Sequence, residues 1–144
     1  MIDGLFNSGS MPALHRLMQF TERRQAYLSD AIANVSTPNY RPRDLDVSEF
    51  QAALGEAVDR RRARGNPVAG ELEMRDTRQL RFEGDRMTVR AEPTNENLLF
   101  HDRNNRSLEH LMQDQAENVM THRVASTLLR NQYDILRTAI RERV

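Results

Sequence analysis

The sequence predicts a mainly α fold. Two long terminal helices form a coiled-coil-like pair, with a short helix and a poorly ordered middle that leaves room for a small β-hairpin. Three observations carry that expectation. Apolar residues recur at heptad spacing near both ends of the chain. Helix-stopping chemistry separates the first heptad pattern from an extended stretch, with Pro38 and Pro42 following Asn34, Ser36 and Thr37. Only 38% of the 144 residues are hydrophobic against 29% charged, so the core is expected to be small and partners to supply further buried surface.

The chain divides, within one structural domain, into a flexible start (1–10), an N-terminal unit (11–66), a flexible middle (67–106) and a C-terminal helix (107–144). Ser10 is placed to cap the first helix, and Pro12 fits its first turn because a missing N–H is harmless there. The helix then runs to about Asn34. Its seam is Leu14, Met18, Thr21, Gln25, Leu28, Ile32 and Val35, polar in the middle. Residues preceding a proline are driven out of the α region, so Thr37 and Arg41 stop the helix and open an extended arm. Ser48 with Gln51 reads as a capping box. It opens a short helix with Phe50, Leu54 and Val58 on one side, ending in the arginine run from Arg60 to Arg64. That run lacks interleaved aromatics and lies among acids, so it reads as a solvated helix end rather than a nucleic-acid patch.

In the middle, Leu80-Arg81-Phe82 and Met87-Thr88-Val89 alternate around Glu83-Gly84-Asp85-Arg86, the pattern of a hairpin. A lone two-stranded ribbon is marginal in water, hence the expectation of poor order. Ser107 is placed to cap the last helix. Its heptad positions are Leu108, Met112, Gln115, Val119, His122, Ser126, Leu129, Tyr133, Leu136 and Ile140, a repeat that calls for a supercoiling partner helix.

Several function classes lose support. Cysteine is absent, which removes disulfides, thiolate metal sites and a cysteine nucleophile. His15, His101, His110 and His122 show no metal-ligand spacing. Neither a Gly-rich phosphate loop nor a paired-carboxylate pocket is evident, so catalysis and cofactors are not expected. A formal net charge of zero argues against a dedicated binder of nucleic acid. The first residues lack a basic and an apolar region, so any export is expected to use no cleavable signal, and no apolar run is long enough to span a bilayer.

The run Ala31-Ile32-Ala33-Asn34-Val35-Ser36-Thr37-Pro38-Asn39-Tyr40, followed by Arg41-Pro42-Arg43-Asp44, resembles the signature of the bacterial flagellar rod, hook and axial proteins. Asn104-Asn105 before a long helix that ends Leu136-Arg137-Thr138-Ala139-Ile140 is similar as well. Asp30 stands where the family has Asn, Arg106 where Val is usual, and Leu111 where Glu is common. The resemblance implies a structural subunit of the basal-body rod on the periplasmic side, exported through the flagellar type III apparatus and assembled helically to help transmit motor torque. The implied partners are the rod proteins FlgC, FlgF and FlgG, FliE and the MS-ring junction, together with further copies of the chain. The expected assembly residues are Leu14, Met18, Leu28, Ile32, Asn34, Thr37, Pro38, Tyr40, Leu108, Met112, Val119, Leu129, Leu136 and Ile140. Tyr40 is expected to be the amphipathic anchor of an elbow that lays the extended arm on a neighbour. The competing reading is a helical adaptor or secretion chaperone that forms a closed dimer.

Overall fold

The computed structural model describes residues 9–64, 71–93 and 108–141. The fold is mainly helical, with two long terminal helices, a shorter middle helix and small antiparallel β pairings. Helix α1 spans Met11–Ala33, strand β1 Arg43–Asp44, helix α2 Val47–Ala63, strand β2 Leu80–Glu83, strand β3 Arg86–Val89, strand β4 Glu92–Pro93 and helix α3 Leu108–Arg141. Ser10 is the N-cap residue of α1, but its hydroxyl makes no capping bond; its carbonyl accepts from the Leu14 N–H at 3.0 Å. The cap expected at Ser107 lies outside the described residues.

Helix α2 starts two residues earlier than expected. Asp46, not Ser48, is the N-cap: its carboxylate accepts from the Glu49 N–H at 3.0 Å and from the Ser48 hydroxyl at 2.7 Å. A carboxylate reaches the first free N–H groups and also favours the positive end of the helix dipole. These bonds hold the Asp46 carboxyl below its ordinary value, the Ser48 hydroxyl contributing most.

The core forms where α1, α2 and the hairpin meet. Phe20, Leu45, Phe50, Leu80, Met87 and Ala91 are all buried there. Phe20 and Phe50 stack with ring centroids 4.1 Å apart. Each such ring, fully buried, stabilises the fold by about 2–3 kcal/mol. The hairpin formed by β2 and β3 pairs Leu80 with Val89 and Glu83 with Arg86, as its alternation predicts. It is not the isolated, marginal ribbon expected from the sequence, because α1 grips its turn. The Arg16 guanidinium donates to the Gly84 carbonyl and, at 2.9 Å, to the Asp85 carbonyl, and the Gln19 amide donates to Asp85 at 2.8 Å. Gly84 has φ +55°, a left-handed conformation that glycine adopts at little cost.

Helix α1 therefore buries two adjoining faces. One carries Arg16, Phe20 and Arg24 toward the hairpin and β1; the other carries Thr21 and Leu28 toward α3. The arginine run is corrected at one position. Arg61 is buried and donates to the Gly9 carbonyl at 2.7 Å, tying the end of α2 to the start of α1. Arg60, Arg62 and Arg64 pair with Glu56, Asp59 and Glu73 at the surface.

Candidate assembly interface

Three features of the terminal helices are candidates for assembly: the elbow after α1, the seam between α1 and α3, and the exposed side of α3. The elbow is closed by its own side chains. The Asn34 amide donates to the Asp30 carbonyl at 2.9 Å and to the Asp30 carboxylate at 3.1 Å, while the Thr37 hydroxyl donates to the Asn34 side-chain oxygen at 3.3 Å. The Tyr40 hydroxyl donates to the Asp30 carboxylate at 2.5 Å. Asn39 supplies the reversal with φ +59°, a left-handed conformation that Asn tolerates better than most residues. Burial, with the Asp30 hydrogen bond and charge behind it, pushes the Tyr40 phenol up to about 12. Tyr40 and Asn34 are half-buried, whereas Thr37 and Pro38 are exposed. The extended arm is engaged internally, since Arg43 and Asp44 pair antiparallel with Pro93 and Glu92.

Arg24 binds the arm to both terminal helices. Its guanidinium makes a two-pronged pair with Asp44, at 3.0 and 2.7 Å, and reaches Asp114 on α3 at 3.4 Å. Burial opposes the charge on Arg24, but the two carboxylates outweigh it and hold the guanidinium above its ordinary value. Asp114 is the weaker partner: burial pushes its carboxyl up, Arg24 offsets this only in part, and the charge on Asp44 adds to the rise.

The seam between α1 and α3 is antiparallel and polar at its centre. The Asn118 amide donates to the Thr21 carbonyl at 2.9 Å and to the Gln25 side-chain oxygen at 3.0 Å, and Thr21 Oγ1 lies 2.9 Å from His122 Nδ1. Of the sequence seam on α1, Thr21 and Gln25 bond to α3, Leu28 is buried, and Leu14, Met18 and Ile32 are half-buried. On α3 it is right at every other step. Gln115, His122, Leu129 and Leu136 are half-buried, but the intervening positions are Leu111, Asn118, Ala125 and Gln132, one residue before the expected ones. The reason is physical. Asn118 must face α1 to make its bonds, and fully buried Ala125 allows close approach. Val119 and Ser126 are consequently half-buried at the seam's margin. Leu108, Met112 and Ile140, expected in the seam, are instead exposed, at 44%, 51% and 58%.

Helix α3 carries a second apolar line. Leu108, Met112, Ala116, Met120, Val124 and Leu128 recur at every fourth residue and are all exposed. Such a row forms a ridge that packs into the groove of another helix at a crossing angle near −50°. Sequence reading missed this ridge because the heptad template absorbs only two of its members, Leu108 and Met112. An i, i+4 template finds it.

No family model matches the chain, and no curated protein matches it. Among the described residues, no helix is long and apolar enough to cross a membrane, and no cluster of three or more His, Asp or Glu side chains forms a metal site.

Proposed function

We propose that this chain is an axial assembly subunit, a structural protein that completes its packing against neighbours in a helical array. More particularly, we read it as the proximal rod protein of the bacterial flagellar basal body, FlgB. The observation that carries the reading is the exposed ridge from Leu108 to Leu128 on α3. Large exposed apolar patches mark protein–protein contact sites, and contacts that do not close on themselves build helical filaments. The motif from Ala31 to Tyr40 and the short span between the terminal helices supply the flagellar specificity. The partners in this reading are FlgC, FlgF, FlgG, FliE and the MS-ring junction, reached through the flagellar export apparatus.

The test is made in the bacterium that encodes the chain. Deleting the gene should abolish swimming, and an epitope-tagged copy should restore it and co-purify with hook–basal bodies. Normal swimming without the gene contradicts the reading.

A further inference from the structure

The hairpin has one closed edge and one open edge. On β2, the Phe82 N–H donates to the Asp76 carboxylate at 2.8 Å and the Leu80 N–H to the Thr77 hydroxyl at 3.1 Å, while the Leu80 carbonyl accepts from the Thr77 N–H at 2.8 Å. In an antiparallel pair the main-chain groups of successive residues point to opposite edges. Leu80 and Phe82 stand directly opposite Val89 and Met87, so those two residues turn their N–H and C=O groups away from β2. Ala91 follows by alternation, because the intervening Arg90 N–H donates back to the Gln79 carbonyl at 2.8 Å. Strand β1 does not cover this edge. It pairs with Glu92 and Pro93. Pro93 has no N–H, so the bonds run through Glu92, whose main-chain groups face the same side as those of Arg90. Among the described residues, nothing bonds the main-chain groups of Met87, Val89 or Ala91.

A cleft of about 360 Å³ opens beside this edge, between Asp85, Arg86 and Met87 on one side and Gln19, Glu22 and Arg23 of α1 on the other. Arg86, Thr88 and Arg90 are exposed and alternate with Met87, Val89 and Ala91, which turn toward the core. Arg86 and Arg90 make no ion pair among the described residues. The acids nearby are Glu83, which stands opposite Arg86 on β2, Asp85 and Glu22 in the cleft, and Glu92, which Arg78 holds at 3.2 Å.

We propose that the outer edge of β3 receives an extended segment of another protein as a third strand, bonded through its main chain to Met87, Val89 and Ala91. An extended main chain matches donors and acceptors at this spacing, as in strand addition to an exposed sheet edge. The segment carries carboxylates at two positions four residues apart, opposite Arg86 and Arg90, since opposite charges stabilise cross-strand pairs. A second copy joined edge to edge would bring its own α1 to the same side of the sheet, into the cleft that this α1 already lines. The surface is separate from the α3 ridge, and the proposal holds whether or not the chain is a rod subunit.

The test uses the full chain and a short, Thr-rich synthetic peptide with Glu at two positions four residues apart. In the free chain the amides of Met87, Val89 and Ala91 should exchange hydrogen faster than those of Thr88 and Arg90, and saturating peptide should slow them. N-methylation of alternate peptide residues in one phase should weaken binding at least about tenfold, because acceptors on the edge lose their donors; shifting the methyl groups by one residue should change little. The peptide with Gln in place of Glu should bind about fivefold more weakly at low salt, and high salt should erase the gap. Arg86→Gln with Arg90→Gln should erase it too while circular dichroism stays unchanged. Val89→Pro, which removes an N–H that the hairpin does not use, should abolish binding; if that variant does not fold, the methylated peptides decide. Slow exchange of the three amides in the dilute free chain means that the edge is covered and overturns the proposal. Protection that appears only at high protein concentration assigns the edge to a second copy and overturns it as well. So do absence of binding and binding indifferent to the phase of the methyl groups.

Discussion

The side-chain amide of Asn118 donates to the main-chain carbonyl of Thr21 at 2.9 Å, at the centre of the helix pair that would ordinarily be its most apolar layer. A polar residue at such a position fixes register and orientation while costing stability. Asn118→Ala should lower the unfolding free energy by about 1–2 kcal/mol, because buried partners lose their bonds. Asn118→Leu should recover that loss by apolar packing. Chemical denaturation of both variants checks this; equal destabilisation would mean that the amide bonds do not define the layer.

Arg24 should be the most sensitive charged residue in the fold. Removing it strands Asp44 beside a buried surface, and breaking a buried pair in this way costs about 3 kcal/mol. Asp114→Asn should behave oppositely. The carboxyl of Asp114 is raised in the folded state, so the folded chain binds that proton more tightly than the unfolded one. Its contribution is present below the ordinary carboxylate range and is lost as pH rises through the raised value. Stability near neutral pH should therefore hold or rise in Asp114→Asn, as thermal melts at several pH values would report.

Asp46 has the reverse sign. Its carboxyl is depressed by the Ser48 and Glu49 bonds. The stabilisation is thus present above the ordinary carboxylate range and lost as pH falls through the depressed folded value. Asp46→Ala should cost about 1 kcal/mol at neutral pH, and the difference from wild type should shrink in acid melts.

The helices and the hairpin were legible in the sequence because their signals are local: heptad spacing, proline stops and alternation around Gly84. The seam on α1 was legible for the same reason. What escaped depends on tertiary partners. Arg16 and Arg61 look like solvated charges until main-chain carbonyls from the hairpin turn and from Gly9 surround them. The one-residue shift of the α3 seam follows from bonds made by Asn118, a residue that a hydrophobic template skips. Likewise Ser48 fits a capping box on its own, but the chain enters α2 so that Asp46 reaches the free N–H groups first.

The elbow offers a spectroscopic check. The chain has three tyrosines, and Tyr40 should resist ionisation, titrating near about 12. A raised phenol stabilises the fold below its ordinary value, and the contribution is lost as pH rises through the folded value. Asp30→Asn should lower the Tyr40 midpoint only in part, because burial is the larger cause. Phenolate absorbance of Tyr40→Phe and Asp30→Asn separates the contributions; an unchanged midpoint in Asp30→Asn would deny the link.

The most direct measurement replaces two ridge residues that the fold does not use. Val124 is 59% exposed and Leu128 47% exposed, so Val124→Asp with Leu128→Asp should leave the circular dichroism spectrum and melting temperature of the isolated chain nearly unchanged. In the bacterium the same double variant should be expressed yet fail to support swimming and fail to enter the basal body. A variant that is folded, incorporated and fully motile would contradict the account that the exposed ridge of α3 is an assembly surface.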